Sequence, residues 1–166
     1  MSANPPAHRD TWHFGTEHIG RRVLVFDAIE STNSLGAELA RRDESADGVV
    51  LIADHQLAGR GQYGRTWVSR PQSSLLMSAV LRTPPDLRRP VVLTAWAAVA
   101  VAEAVLTLTG AQARIKWPND LLIRGKKVCG ILIEQTSTGA GVTTVAGIGL
   151  NLTQTADEFA AANLPD

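Results

Sequence analysis

The chain has 166 residues, 45% of them hydrophobic and 19% charged, which indicates one folded domain and excludes a globally disordered chain. Sixteen basic residues balance sixteen acidic ones, so bulk electrostatic attraction to nucleic acid or to an anionic membrane is disfavoured. The single cysteine, Cys129, excludes an internal disulfide framework and a cysteine-based zinc cluster.

The first twenty residues are polar and carry scattered charges, and they lack the apolar core of a signal peptide. We expect residues 1–20 to form an N-terminal arm, with a weak helical signal over 11–20, and residues 21–166 to form the folded domain. The most apolar stretch, 91–108, is rich in alanine and is interrupted by Glu103, which predicts a buried helix rather than a membrane span. These features predict a cytoplasmic protein.

The first part of the domain alternates strand and helix signals. Short apolar runs rich in β-branched residues predict strands at 23–26, 49–53 and 74–81. Ser31 is a favourable N-cap, and apolar residues four positions apart predict a helix from there to about Arg42. Pro90 suits the first turn of the alanine-rich helix, and Gly110 stands just past its end.

The second part consists mostly of strand signals separated by turns. Apolar and β-branched runs predict strands at 113–117, 121–123, 128–134 and 142–150. A short helical pattern follows at 156–162, and the chain stops without a clear terminus signal, so we expect it to be cut short at the C-terminus. The element order predicts an α+β fold, a mixed β-sheet with helices packed on it.

The glycine-rich run Gly59-Arg60-Gly61-Gln62-Tyr63-Gly64-Arg65 is the first candidate for chemistry. Glycines let a backbone approach a ligand closely, and two arginines add fork-shaped donors for phosphate. The run also matches the G-x-G-x-x-G pattern, but the residues after it, Thr66-Trp67-Val68, suggest an extended segment where a dinucleotide-binding fold needs a helix. Anion binding and a flexible surface loop remain the two interpretations.

The segment Lys116-Trp117-Pro118-Asn119-Asp120 is the second candidate. Asparagine and aspartate oxygens suit Mg²⁺, and lysine meets phosphate as a point charge. The same residues are ordinary turn formers, and a plain hairpin turn is the stronger interpretation of this segment taken alone.

Two further candidates lie on predicted strands. Strand alternation places Lys127 on one face with Cys129, so the lysine is either solvated at the strand end or directed into a polar pocket. No histidine lies near Cys129 in the sequence, and a buried structural thiol is the favoured interpretation. The run Gly147-Ile148-Gly149-Leu150-Asn151 indicates a bulge or a close approach of the backbone.

Taken together and in order, these segments resemble the motifs of the biotin protein ligases, the biotin–[acetyl-CoA-carboxylase] ligases. The resemblance covers roughly residues 20–155 and includes Ser31-Thr32-Asn33 and the run from Lys127 to Glu134. It implies the catalytic core shared with lipoate ligases and related to class II aminoacyl-tRNA synthetases, with a mixed sheet and helices on one side. It also implies a two-step reaction: biotin and ATP form biotinyl-5′-AMP, and a lysine of a carboxylase carrier domain then takes the biotin.

The resemblance also implies roles for individual residues. The implied biotin-binding residues are Ser31, Thr32, Asn33, Gln56, Gly59, Arg60, Gln62, Lys127, Gly130, Gly147 and Gly149. The implied ATP-binding residues are Arg60, Gln62, Arg65, Lys116, Asn119 and Asn151. Lys127, Arg60 and Arg65 would be catalytic, with Lys127 bridging the biotin carboxylate and the α-phosphate. Asn119, with Asp120, would help hold Mg²⁺, and Trp67 would pack the loop rather than take part in the chemistry.

The chain departs from the family pattern at Gln62, where many members carry an arginine. Because a charged partner makes a stronger hydrogen bond, we expect weaker retention of the adenylate unless Arg60 or Arg65 compensates. The family continues beyond Asn151 with more helices and a small β-barrel, and its repressor members begin with a helix-turn-helix for which residues 1–20 are too short. We therefore expect no DNA binding and no membrane binding.

The expected partner is the biotin carboxyl carrier protein or domain of acetyl-CoA carboxylase, and the expected state is a monomer or a homodimer. Two alternatives remain open. One is a lipoate or octanoate ligase of the same fold. The other is a truncated module that binds biotin or its adenylate without completing the transfer.

Overall fold

The computed structural model describes residues 6–138 and 141–161. Within these residues the strands are β1 (Asp10–His13), β2 (Arg22–Ile29), β3 (Val50–Gln56), β4 (Ser74–Arg82), β5 (Arg114–Lys116), β6 (Asp120–Ile123), β7 (Lys126–Thr138) and β8 (Gly141–Asn151). The helices are α1 (Thr32–Arg42), α2 (Pro90–Thr109) and α3 (Ala156–Ala161).

The strands form one mixed sheet in the order β1-β2-β3-β4-β8-β7-β6-β5. β2 and β3 are parallel, and α1 lies in the crossover connection that a parallel pair requires. Every other neighbouring pair is antiparallel. This arrangement confirms the predicted α+β class. β7 and β8 form a long hairpin in the centre of the sheet, and the interior of the predicted turn between them, residues 139–140, lies outside the described residues.

Helix α1 begins where the sequence predicts. The Ser31 side chain accepts a hydrogen bond from the backbone N–H of Ser34, which satisfies one of the free donors of the first turn. The helix packs so closely on the sheet at Gly36 that a Cβ there would lie only 3.1 Å from Val145 Cγ1. The close approach fixes the N-terminus of α1 above the centre of the sheet.

Helix α2 ends at Gly110, whose φ of 71° places it in the left-handed region that favours glycine. Its inner side packs through Ala98 on the sheet residues Cys129 and Ile131. The prediction of a buried helix is wrong for the outer side, where Trp96 is 55% exposed. Within the described residues α2 is also the one helix whose length and composition would suffice to cross a membrane, a criterion that core helices of soluble proteins also meet.

The two long helices cover opposite faces of the sheet. α1 contacts the β8 face that carries Val145, whereas α2 packs on the face that carries Ile148. Side chains alternate between the two faces along a strand, so Val145 and Ile148, three positions apart, lie on opposite sides of the sheet. The expectation of helices on one side is therefore wrong, because β8 carries apolar side chains on both faces, with Val145 against α1 and Ile148 in the cluster formed with α2.

The predicted N-terminal arm is partly ordered structure. Residues 10–13 form the edge strand β1, so the helical signal over 11–20 is wrong. The backbone of β1 pairs with β2, and Arg9 next to it makes ion pairs with Asp27 and Asp54. These long-range contacts outweigh a weak local preference. Residues 1–5 of the predicted arm and the tail from residue 162 lie outside the described residues.

Candidate active site

A cavity of about 440 Å³ lies between the N-terminus of α1, the central strands and residues 57–66, which we call the glycine-rich loop. Its volume is in the range of small-molecule sites. Most of the residues predicted for the site line it: Ser31, Thr32, Asn33, Gln56, Arg60, Gln62, Arg65, Asn119, Lys127, Gly130, Gly147, Gly149 and Asn151. The fold therefore gathers segments that are far apart in the sequence around one space.

One end of the cavity rests on a buried cluster of polar side chains. Gln56 Oε1 accepts a hydrogen bond from the Thr32 backbone N–H at 2.8 Å and lies 3.0 Å from Thr32 Oγ1. Ser78 Oγ lies 2.7 Å from Thr32 Oγ1 and 2.6 Å from Asn33 Oδ1. Because these groups are bonded to one another, the orientations of Thr32 and Gln56 are fixed before any ligand binds.

Asn33 takes part in this cluster rather than pointing freely into the cavity. Its Nδ2 donates to Glu134 Oε2 at 2.9 Å and to the Leu132 carbonyl oxygen at 3.2 Å. The side chain is almost fully buried and covers Gly147, where a Cβ would collide with Asn33 Oδ1. The structure therefore makes Asn33 part of the support of the cavity, although it was predicted as a ligand-binding residue.

The glycine-rich loop is a tight hairpin. The Gly61 N–H donates to the Arg65 carbonyl oxygen at 2.7 Å, and the Trp67 N–H donates to the Gly59 carbonyl oxygen at 2.9 Å. Tyr63 occupies the tip, with a φ of 57° and 88% of its surface exposed. No helix follows the loop, which confirms that the dinucleotide-binding interpretation is wrong. The hairpin places Arg60 and Arg65 on the cavity wall.

Trp67 forms part of the cavity wall and lies on a glycine surface. A Cβ at Gly149 would lie 2.6 Å from Trp67 Cε2, and a Cβ at Gly130 would lie 2.8 Å from Trp67 Cζ3. These two glycines were predicted to let a ligand approach the backbone, but the residue that uses the space is Trp67. Trp67 was assigned a loop-packing role only, whereas the structure also brings it to the cavity.

A β-bulge determines the direction of Lys127. The β6–β7 register pairs Leu122 with Lys127 and Leu121 with Cys129, so Val128 is an extra residue in β7. Simple alternation predicts that Lys127 and Cys129 share a face, and that prediction is wrong because the bulge reverses the alternation between them.

The bulge turns Lys127 to the side of the strand on which Gly130 lies. Lys127 Nζ is 2.7 Å from Asp120 Oδ1 and 5.8 Å from the centre of the Trp67 ring. Cys129 points to the opposite face and is fully buried. Burial is the main reason that the pKa of its thiol rises to about 12, with Lys127 opposing the rise and Asp120 adding to it. A thiol of this kind is structural, as predicted.

Three predicted residues do not reach the cavity as expected. Lys116 is exposed on the outer strand β5 and does not line the cavity. Gly59 lines a second cavity of about 480 Å³ that adjoins the first across the glycine-rich loop. Asp120 does not line the main cavity either, and its carboxylate is paired with Lys127.

Asn119 and Asp120 are not arranged as a pair of oxygen ligands for Mg²⁺. The Asp120 carboxylate is engaged by an ammonium group, and Asn119 offers one amide whose Nδ2 donates to the Ile131 carbonyl oxygen. Within residues 6–138 and 141–161, no three His, Cys, Asp or Glu side chains are grouped closely enough to hold a metal ion.

Sequence reasoning missed several residues that shape the site. Met77 and Phe159 line the cavity, and Ser78 and Glu134 hold the residues that line it. Ser78 and Glu134 lie on predicted strands, where a polar residue among apolar neighbours was the available signal. Phe159 reaches the cavity from α3, and the short helical pattern in that part of the sequence does not indicate a binding role.

Residues 25–151 match the model of the Biotin/lipoate A/B protein ligase family. The chain is 41% identical over 145 residues to the Bifunctional ligase/repressor BirA of Bacillus spizizenii, covering 87% of this chain and 44% of the relative. It is 39% identical to the Biotin–[acetyl-CoA-carboxylase] ligase of Mycobacterium tuberculosis, covering 80% of this chain and 51% of the relative.

A solved biotin protein ligase from Aquifex aeolicus in complex with biotin and ATP is similar in structure. The TM-score is 0.68 at 29% identity, over 82% of this chain and 55% of that chain. This likeness confirms the expected fold, the ligase core related to class II aminoacyl-tRNA synthetases. The chain spans about half the length of the curated relatives it matches.

Proposed function

The chain belongs to the biotin/lipoate A/B protein ligase family, and from that membership we propose that it is an ATP-dependent biotin–protein ligase. In this proposal it converts biotin to biotinyl-5′-AMP and transfers the biotin to a lysine of a carboxylase carrier domain. The observation that supports it best is the single cavity in which the fixed polar end at Thr32 and Gln56 faces the same space as Lys127 and two arginines.

The polar end suits the ureido ring of biotin. A site that hydrogen-bonds a polar ring in fixed geometry strongly rejects analogues that lack those groups. Ser31 and Thr32 offer hydroxyl groups at this end of the cavity. Gln56 is held by the hydrogen bond that its Oε1 accepts from the Thr32 N–H, and its Nε2 takes no part in that bond. Trp67 and Leu132 supply apolar surface in the same cavity.

The cationic end suits the chemistry of activation. In the first step a biotin carboxylate oxygen attacks the α-phosphorus of ATP, and pyrophosphate leaves. Lys127 would neutralise charge on the carboxylate and the α-phosphate, and Arg60 and Arg65 would hold phosphate oxygens. In the second step the acceptor amine attacks the acyl carbon, AMP leaves, and the nitrogen loses a proton as the amide forms.

Within residues 6–138 and 141–161 the side chains do not form a protein-held magnesium site, because Asp120 is paired with Lys127 and no three potential ligands are grouped there. The positive charge that this chain itself supplies at the phosphates comes from Lys127, Arg60 and Arg65.

The proposed partner is the biotin carboxyl carrier protein or domain of acetyl-CoA carboxylase, and acetyl-CoA carboxylase appears in the name of the Mycobacterium tuberculosis relative. The compartment we propose for the reaction is the cytoplasm. DNA binding is outside the proposal, although the Bacillus spizizenii relative is named a repressor as well as a ligase.

A lipoate or octanoate ligase is the weaker alternative. Relatives at 39% and 41% identity are named for biotin or as BirA, and Gln56 with Thr32 suits a polar ring better than a fatty chain. Competition between biotin and lipoate for binding separates these two possibilities. A module that binds the adenylate without transfer is the other alternative, and the assay below separates it from the ligase.

The test is incubation of the purified chain with biotin, Mg-ATP and a biotin-acceptor domain, with adenylate and acceptor followed by mass spectrometry. We expect both products. Lys127→Gln should abolish adenylate formation, whereas Arg114→Gln, which removes an exposed charge on β5, should not. Adenylate without acceptor product would support the binding-module alternative, and a folded protein that makes neither product would contradict the proposal.

A further inference from the structure

The outer strand β5 and the turn that follows β6 carry an excess of positive charge. Five basic residues and one acidic residue lie between positions 110 and 133, whereas the whole chain carries sixteen of each. Three of the five, Arg114, Lys116 and Arg124, are exposed. Among the described residues, no carboxylate lies within ion-pair distance of these three side chains. Their charge is therefore not neutralised within the fold.

These cations surround an exposed aromatic side chain at the end of the sheet. β5 is the last strand in the sheet order, and Trp117, which directly follows it, is 62% exposed. Tryptophan and arginine are the residue types that most often dominate the binding energy of protein interfaces. We call the exposed group formed by Arg114, Lys116, Trp117 and Arg124 the basic edge.

Strand register places the basic edge on the same side of the sheet as the main cavity. Lys116 pairs with Asp120, and Asp120 pairs with Gly130, which lines the cavity. Directly opposed residues of an antiparallel pair project to the same face. Lys116 and, two positions before it, Arg114 therefore lie on the cavity face, whereas α2 covers the opposite face through Ala98.

The basic edge is close to the cationic end of the cavity. One strand, β6, separates β5 from β7, so β5 and β7 lie about 10 Å apart at the usual strand spacing. β7 carries Lys127, whose Nζ is 2.7 Å from Asp120 Oδ1 on the strand between them. A macromolecule bound on the basic edge can therefore present a side chain to this end of the cavity.

The basic edge has the features of a protein-binding surface rather than of a phosphate pocket. Sites for small molecules are concave, but Arg114, Lys116 and Trp117 line neither of the two cavities. An exposed tryptophan among unpaired cations is instead typical of a surface that binds another protein. The sign of the charge indicates that this protein is acidic where it makes contact.

We propose that the basic edge is the docking surface for the acceptor protein and that it recognises an acidic patch on that protein. This inference rests on the proposed function, because a ligase of this kind needs a protein that delivers a lysine to the acyl carbon. On a chain whose total charge is balanced, a local patch of one sign steers the encounter and orients the partner. The basic edge acts in the second step only, since the first step involves no acceptor.

Separate assays of the two steps distinguish docking from chemistry. The double variant Arg114→Glu/Arg124→Glu reverses two charges of the basic edge and leaves Lys116 and Lys127 in place. We expect kcat/KM for a biotin carboxyl carrier domain to fall by about tenfold to a hundredfold. Adenylate formation, followed as pyrophosphate release, should stay within twofold of the wild type. Unchanged transfer by the folded variant would overturn the proposal.

The matched control is Arg21→Glu/Arg41→Glu, which makes the same change of charge at two exposed positions outside the basic edge. It should keep the wild-type kcat/KM for the carrier domain. Equal losses in the two double variants would mean that net charge alone controls the encounter, and would overturn the proposal. The neutral variant Arg114→Gln/Arg124→Gln should lose less than the charge reversal, because repulsion is absent; an equal or greater loss would contradict electrostatic recognition.

A small nucleophile bypasses docking. The nitrogen of hydroxylamine attacks the acyl carbon of the adenylate, AMP leaves, and the nitrogen loses a proton as the hydroxamate forms. This reaction should proceed at the same rate in the wild type and in Arg114→Glu/Arg124→Glu. A slower reaction in the variant would place these residues in the chemistry, and a raised KM for ATP would assign them to the triphosphate; either result would overturn the proposal.

Direct binding of the carrier domain in the absence of ATP separates failure of this inference from failure of the proposed function. The Kd should rise by about tenfold in Arg114→Glu/Arg124→Glu, and the wild-type Kd should rise with ionic strength. Equal Kd values would overturn the proposal. So would duplex DNA that binds the wild type and not the variant while carrier binding is unchanged. A wild type that binds the carrier but forms no adenylate would contradict the proposed function, and the difference in Kd would still decide the role of the basic edge.

Discussion

Lys127 Nζ lies 2.7 Å from Asp120 Oδ1, and both side chains are on the side of the sheet that faces Trp67. The pairing follows from the bulge at Val128, which turns the lysine away from the face of Cys129. Asp120 is the less exposed partner, at 16% of its side-chain surface against 39% for Lys127. The carboxylate therefore serves as a fixed point that aims a more mobile ammonium group.

Asp120→Asn should slow activation more than it weakens binding. The amide keeps a hydrogen-bond acceptor but loses the charge that orients Lys127, and a charged hydrogen bond is about twice as strong as a neutral one. We expect pyrophosphate release in a single turnover to slow by about tenfold and biotin affinity to change by less than about threefold. Glu38→Gln, which removes a carboxylate that pairs with Arg42 on α1, serves as the control. Equal single-turnover rates for Asp120→Asn and the wild type would contradict the prediction.

Gly149→Ala should displace Trp67. A Cβ at this position would lie 2.6 Å from Trp67 Cε2, a separation that requires the ring to move. We expect a loss of about 1–3 kcal/mol in the free energy of unfolding, measured by denaturant titration, together with weaker biotin binding. Gly15→Ala is the control, since no atom lies within 4 Å of a Cβ there and the stability should be unchanged. Wild-type affinity and stability in Gly149→Ala would show that the tryptophan does not occupy this position.

Ser78→Ala should destabilise the fold from beneath the cavity. Three short oxygen contacts join Gln56 Oε1, Thr32 Oγ1, Ser78 Oγ and Asn33 Oδ1 in series. The two amide oxygens can only accept hydrogen bonds, so the protons in this series come from the Thr32 and Ser78 hydroxyls. Without the serine, Asn33 Oδ1 loses its donor while it stays buried, which costs about 1–3 kcal/mol. Chemical denaturation measures the loss, and a change below about 0.5 kcal/mol would mean that another donor satisfies the oxygen.

Local sequence signals predicted the elements whose ends are fixed by local chemistry. The N-cap at Ser31 and the left-handed Gly110 mark helix ends that the structure confirms. The glycine-rich loop and most of the lining residues were also predicted, because the ordered motifs resemble a known family. In both cases the information lies in short stretches of sequence.

The missed features depend on contacts between distant segments. The strand β1 exists because its backbone pairs with β2, and its own residues gave only a weak helical signal. The bulge at Val128 appears only when the β6–β7 register is known, so the direction of Lys127 could not be obtained from alternation. The Arg60–Glu134 pair likewise joins two segments whose proximity no local pattern indicates.

The titration of Cys129 should lower stability at alkaline pH. Burial raises the pKa of the thiol from its ordinary value of 9.0 to about 12 in the folded state, so the unfolded chain loses this proton first as the pH rises. The contribution to stability is fully present below pH 9 and falls by about 1.4 kcal/mol per pH unit between about pH 9 and 12.

The measurement is the difference in unfolding free energy between the wild type and Cys129→Ala as a function of pH. The wild type should lose its thiol contribution above pH 9, whereas the variant should lack that part of the slope. Parallel pH profiles for the two proteins would contradict a strongly raised pKa.

Gln62→Arg should strengthen retention of the adenylate. Gln62 lines the cavity from the glycine-rich loop, at the position where the family resemblance leads us to expect an arginine, and its amide offers a neutral donor to a phosphate oxygen. A guanidinium makes a charge-assisted bond about twice as strong, so we expect release of biotinyl-5′-AMP to slow by about tenfold. Pre-formed adenylate, chased with excess unlabelled biotin and ATP, gives the release rate directly. Gln72→Arg, which places the same charge outside the cavity, is the control, and equal release from Gln62→Arg and the wild type would show that Arg60 and Arg65 already supply all the charge that the phosphate needs.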